Sequence, residues 1–387
     1  MTKSIDHLDL KTKIMGIGIE FPLEKRLENI IVAMESDSAS FEKLDYEIDL
    51  ENEILTLLYE LESKNQWNEI EKFGRALQCQ PKLFKEYNKY VSQTLIPLYL
   101  AKDREDSREQ KGRIEDCLKP FYEDPQNSGD ILFDVLDKLI CYDQSSIAVD
   151  LCKKIYAEIA TSDIFIINPK NAIAEIIVWD ELQKVYTSLK RNMDADWLSF
   201  NKRCKIYEFQ FNQDDLKSLE QVMKVSLDLT QMFNIFKKKR PLVLVQIKLA
   251  FCCQMYDLDG TSFVTSHNFA SKIIDFLSTL PGRKNCPLQT FFKIKPDFLV
   301  PYLQKLIEGE WFDSTHKQFA FLAALPIFYL VLLKIGIIKM KTIEEILPTV
   351  YILKSEYGKN YSDRPWVFNF IKKLEKQSSM LTQLYQN

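Results

Sequence analysis

Residues Phe319–Leu333 read FAFLAALPIFYLVLL, and the fold turns on what covers them. The phenol of Tyr329 is their only polar side-chain group. A membrane span takes about 20 apolar residues, whereas a run in the low teens is a core helix. Here about fifteen uncharged residues are interrupted by Pro326 and stopped by Lys334. No basic cluster flanks one side to set an orientation in a bilayer. The expectation is a helix apolar on every face, enclosed by other helices. Pro326 should kink it or split it in two, because the ring clashes with the preceding turn and has no N–H to donate. The alternative is a membrane-anchored protein held by residues 319–338.

At 387 residues the chain is long for a single core, so two modules are expected. Hydrophobic residues at 46% and charged residues at 27% are those of a globular protein, not a disordered one. Only 10 glycines occur. That scarcity argues against a turn-rich β fold and against a doubly wound nucleotide fold with glycine loops. A net charge of −4 offers no field to attract nucleic acid. The 8 cysteines are scattered through apolar patterns with no C-x-x-C pair, which suits a reducing compartment. The first residues, MTKSIDHLDLKTKIMGIG, lack the apolar core of a secretory signal, and LTQLYQN carries no prenylation box. The expected location is cytoplasmic.

Helical spacing begins at Leu23, Leu27, Ile30 and Ile31. Leu50, Ile54, Leu57, Leu58 and Leu61 form one apolar stripe. After a turn at Lys64–Gln66, a second helix starts near Trp67 with Ile70, Phe73, Ala76 and Leu77 inward, and it stops before Pro81. Further helices are expected over 82–102, with a kink at Pro97, around Ile114–Phe121, over 131–140 and over 145–160. DPQNSGD at 124–130 is a loop. Asn168-Pro169 opens a long helix to about Arg191, an Asn cap followed by Pro at the first helical position. Tyr207, Phe209 and Phe211 alternate with polar residues, as a tie-down strand or a linker would. A module boundary is placed near Asn212. The C-terminal helices are expected over 213–236, 242–256, 266–280, 297–308, 319–338, 342–356 and 364–376.

The segment NQWNEIEKFGRALQCQP at 65–81 resembles the second helix of a tetratricopeptide repeat. Aromatic, acidic-aliphatic, aromatic, Ala-Leu and closing proline follow in order. It departs by one residue between the aromatic and the alanine, and the preceding helix lacks the small residue of close packing. The hairpin interval of about forty residues is nearer that of HEAT or armadillo units. The resemblance implies stacked helical hairpins, since one hairpin cannot bury its apolar face alone.

MYDLDGTSFVTS, from Met255, resembles the nucleophile motif of haloacid dehalogenase-type phosphatases. That resemblance implies Asp257 attacking phosphorus, Asp259 as general acid and a Mg²⁺ facing both. No acidic pair after a later strand and no βαβ alternation accompanies it. A calcium loop starting at Asp257 would need Gly at Ser262 and Glu at Asn268. Asp and Gly also suit a helix-ending turn. Lys237–Arg240 is the one dense basic run, and a solvated helix end stopped by Pro241 explains it. His7, His267 and His316 are far apart with no ligand-spaced neighbour.

The sequence therefore predicts an all-α fold: an α-solenoid of TPR- or HEAT-like hairpins over 1–212, followed by a helical bundle over 213–387. The expected function is binding another macromolecule, a protein, along the stack. No catalytic, cofactor-binding or metal residue is assigned. The alternatives are a metal-dependent phosphatase using Asp257 and Asp259 and the membrane anchor.

Overall fold

A computed structural model describes residues 23–34, 50–79, 107–159, 169–224, 228–308 and 315–360, with positions 89, 92, 95, 96 and 98–100. The described residues are all-α, with seventeen α-helices and no strand. They form two compact units, one within residues 1–135 and one running from Leu136.

In the first unit, Leu23–Met34 (α1), Leu50–Ser63 (α2) and Trp67–Gln78 (α3) pack on one another. The predicted stripe is the buried one: Ile54, Leu57, Leu58 and Leu61 of α2 face Ile70 and Phe73 of α3 and Leu27 and Ile30 of α1 in the buried core. Arg26 reaches from α1 to Glu53 at 3.2 Å and Glu60 at 3.4 Å. Asn65 turns the chain between α2 and α3 at φ 56°, a left-handed conformation that Asn tolerates. Ser107–Glu123 (α4) buries Ile114, Cys117, Leu118 and Phe121, and Ser92 donates to the Cys117 carbonyl at 2.7 Å. The 82–102 segment lies mostly outside the described residues, Pro97 included; Leu95, Ile96, Leu98 and Tyr99 are helical and buried.

Gly129–Cys141 (α5) leads into the second unit, followed by Ser145–Ile155 (α6) and Pro169–Lys190 (α7). Next come Trp197–Lys205 (α8), Gln213–Met223 (α9) and Leu229–Ile235 (α10). Arg240–Asp259 (α11) and Phe263–Thr279 (α12) form the central hairpin. Leu288–Phe291 (α13), Leu299–Lys305 (α14), Thr315–Lys334 (α15), Met340–Glu344 (α16) and Leu347–Asn360 (α17) complete it. Helix α12 packs on α7, α11 and α15, and α15 is also covered by α11, α16 and α17. Every residue from Phe319 to Leu332 is buried.

The cover on α15 is protein: 89% of its most apolar window is enclosed. Helix α11 is also long and apolar enough to span a bilayer, and its window is 44% buried. Aromatic rings make much of the seal. Phe328 meets Phe251 at 5.4 Å and Phe292 at 6.1 Å, and the Tyr329 hydroxyl donates to the Phe292 carbonyl at 2.6 Å.

Several boundaries differ from the pattern. Pro326 does not split α15, which runs unbroken from Thr315 to Lys334. The lost hydrogen bond is tolerated where packing holds the helix on all sides. The helix expected over 213–236 is two, because Asp228 caps a new start by accepting from Gln231 N at 2.9 Å. The expected 342–356 helix is likewise α16 plus α17, and 364–376 lies outside the described residues. Asn212, at the expected module boundary, lies within the second unit and caps α9 in a capping box with Asp215. Tyr207–Phe211 joins no sheet; the Asn201 side chain pins the Phe211 backbone, donating to its carbonyl at 2.9 Å and accepting from its N–H at 3.1 Å.

Truncating Phe328 to alanine removes the ring that joins α11, α15 and the 288–294 segment. The expected loss is about 3–5 kcal/mol of unfolding free energy, read by urea titration of the full chain.

Candidate functional site

Asp257 lies in the last turn of α11. The backbone leaves that helix through Gly260, at φ +78°, where a side chain would be strained. Ser262 then caps α12, accepting from Thr265 N at 3.1 Å. The turn is stitched to neighbours: Phe263 N donates to Gln183 Oε1 at 2.7 Å, and Thr265 Oγ1 to the Ile140 carbonyl at 2.7 Å. The D-x-D-G-T run is thus a helix–turn–helix connection, where the phosphatase resemblance requires a strand. The Asp259 side chain lies outside the described residues. Asp257 is already engaged, accepting from Tyr186 Oη at 2.8 Å and lying 3.2 Å from Lys190 Nζ.

Beside Asp257 a pocket of about 290 Å³ opens between helices α7, α9, α10, α11 and α15. Its walls are apolar, from Val222, Leu229, Ala250, Val331 and Ile335. Cys253, Gln254 and Lys334 supply its polar groups with Tyr186 and Asp257. Burial, with the nearby Asp257 carboxylate, pushes the Cys253 thiol up and keeps it protonated. Lys334 Nζ donates to the Gln254 amide oxygen. Gly336, at φ +80°, ends the chain's exit from α15, and any Cβ there would lie 3.0 Å from Leu229 Cδ1.

A second cluster joins α5, α12 and α15. Asp137 and Cys141, one helical turn apart on α5, bring carboxylate and thiol near His316, with donor atoms all within 4.8 Å. Oxygen, sulfur and nitrogen in that set are zinc-type ligands. The carboxylate is already filled, however. Asp137 Oδ1 accepts from Lys272 Nζ at 2.6 Å and from Asn268 Nδ2 at 2.8 Å, and His316 Nε2 lies 3.2 Å from Oδ2. An incoming cation would meet the Lys272 ammonium, so these residues fit a buried ion pair better than a metal. Burial alone would raise the Asp137 carboxyl, but Lys272 and His316 hold it well below the usual carboxylate range.

His267 sits elsewhere, stacked on Trp179 with ring centres 4.1 Å apart. Its Nε2 lies 3.3 Å from Glu175, 3.4 Å from Lys248 Nζ and 3.1 Å from Ser271 Oγ. Burial lowers it to about 4, against the opposing pull of Glu175. His7 lies outside the described residues. The histidines therefore serve separate clusters. Asp137 and Cys141 carried a signal in their four-residue spacing, but Lys272 and His316 join them only through the fold.

Among the described residues, α8 and the turn that ends it present the most exposed large apolar side chains. Phe200 and Cys204 turn inward, Trp197 donates to Glu220 at 2.8 Å, and Arg203 pairs with Glu181. Leu198 is 84% exposed and Ile206 68%, with exposed Lys202 and Lys205 between them on the same face. The basic run at Lys237–Lys239 is exposed just past α10, and Arg240 stacks over Phe236 at 5.0 Å, consistent with a solvated helix end. Compared with known protein families, with curated proteins and with solved structures, the chain matches none.

Two measurements separate the buried clusters. At neutral pH, Asp137→Asn takes from the mostly buried Lys272 its ion-pair partner and leaves it only the longer-range field of Asp275, and about 3–5 kcal/mol of stability should be lost. Because the folded Asp137 carboxyl is depressed, its contribution is present above pH ~4 and disappears only below. His267 acts in another window. Its folded value of about 4 lies below that of the unfolded chain, so the unfolded state takes up the proton first. Stability should fall as pH drops from about 6.5 to about 4, by on the order of 3 kcal/mol. His267→Gln should flatten the unfolding free energy across that interval, measured by urea titration at each pH.

Proposed function

We propose that this chain is a helical, repeat-type interaction protein that binds another protein through the outward face of α8. The observation that carries the reading is the placement of Leu198 and Ile206. A soluble surface tolerates scattered apolar side chains. Here one large side chain near the start of α8 and one in the turn that ends it are exposed eight residues apart, with Met193 exposed just before them. The inward face of the same helix is fully used, so the outward apolar side chains are not leftovers of poor packing.

The partner's chemistry follows from the charges. Lys202 and Lys205 lie between the two apolar anchors and have no carboxylate partner among the described residues. An apolar groove rimmed by carboxylates complements that stripe, with Leu198 and Lys202 presented from the helix and Ile206 from the turn that ends it. The internal ion pairs support binding over catalysis: Asp137, Glu181 and Asp257 are each held by cations from the same unit. Cytoplasmic placement belongs to the same reading and is supported by the eight free thiols.

A photo-crosslinking residue in place of Lys202, used in cells with the full chain, tests this. A discrete protein adduct should form and vanish when Leu198 and Ile206 are both changed to Asp. Each single change should weaken binding at least tenfold, about 1.4 kcal/mol. Adducts to lipid alone, or an adduct indifferent to both changes, would overturn the proposal.

A further inference from the structure

We propose that the pocket beside Asp257 takes a small amphipathic monocarboxylate. Its carboxylate would lie against Lys334 and Gln254, and its apolar body against Val222, Ala250, Val331 and Ile335. The inference uses none of the α8 surface residues, so it stands or falls apart from the proposed protein partner.

Charge decides the class of ligand. Asp257 is the one carboxylate in the pocket lining, and Lys190, just outside that lining, pairs with it at 3.2 Å. Tyr186 closes the same corner through its bond to Asp257. Among the described residues Lys334 is thereby left with only the neutral Gln254 amide oxygen, and the described site carries one uncompensated positive charge. The amide nitrogen of Gln254 has no partner among the described residues. A carboxylate can accept from the Lys334 ammonium and that amide together, two bonds of which one is charge-assisted. A phosphate dianion would meet one ammonium and leave its second charge unmatched. An amine would meet Lys334 directly.

Size and lining decide the rest. A pocket of about 290 Å³ stands at the lower edge of the ~300–1,000 Å³ typical of ligand sites. Its apolar walls come from four helices, so a ligand body of several carbons replaces water on most of its surface. The Cys253 thiol is held protonated by burial and contributes bulk rather than chemistry. Non-covalent binding is therefore the event inferred.

Calorimetric titration of the full chain with octanoate, octylamine and octan-1-ol tests the proposal. Octanoate should bind best, octanol at least tenfold more weakly and octylamine more weakly still. Lys334→Met, at an exposed position, should weaken octanoate at least tenfold and leave octanol unchanged. Ala250→Phe, which fills the apolar wall, should remove both. If that variant fails to fold, the Lys334→Met comparison still decides. Octylamine binding as tightly as octanoate, octanoate indifferent to Lys334→Met, or no octanoate binding at millimolar concentration would overturn the inference.

Discussion

The second unit depends on one constraint: α15 has no polar face. A helix exposed on one side can close its fold with a single partner. This one needs cover around its whole circumference, and α11, α12, α16 and α17 supply it. The buried rings of Phe251, Phe276, Phe292 and Phe321 follow from that demand, since few other side chains fill such wide gaps between helices. Tyr329 is the exception that obeys the same rule, because its hydroxyl is buried only with the Phe292 carbonyl as acceptor.

Two polar sites of the unit mark the ends of that greasy axis. His316 stands at the N-terminal end of α15 against Asp137, and Lys334 at the C-terminal end beside the pocket. From Gln318 to Leu333 only Gln318, donating to the Leu303 carbonyl, and Tyr329, donating to the Phe292 carbonyl, interrupt an otherwise apolar side-chain surface. The cluster at Asp137 ties α5, α12 and α15 with charge-assisted bonds whose removal leaves a charge behind. The pocket end differs in kind: among the described residues Lys334 there bonds a neutral amide oxygen, not a carboxylate.

Helix content and the identity of the core were legible wherever side chains repeat at helical spacing. Such stripes are local information: Ile54, Leu57, Leu58 and Leu61 announce their buried face without reference to the rest of the chain. Helix breaks were less legible. Asp228 restarts a helix that the apolar pattern would continue, and Pro326 fails to break one that the pattern would end. In both cases the outcome depends on what packs alongside, which periodicity does not encode. Asp257 stood out for its motif, and the fold gives it a pocket, but its neighbours Tyr186 and Lys334 come from 71 residues earlier and from a separate helix. Leu198 and Ile206 went unread because an apolar residue on a helix is ordinarily taken as facing the core.

The order of synthesis has a consequence for α15. Its inner partners, α11 and α12, precede it in the chain, but α16 and α17 follow it. When Lys334 has emerged from the ribosome, the side of the helix destined for α17 still has nothing to rest on. At roughly 5–20 residues per second, translation to Asn360 takes on the order of seconds. For that interval the nascent polypeptide displays a bare apolar rod, a natural substrate for holdase chaperones on the ribosome.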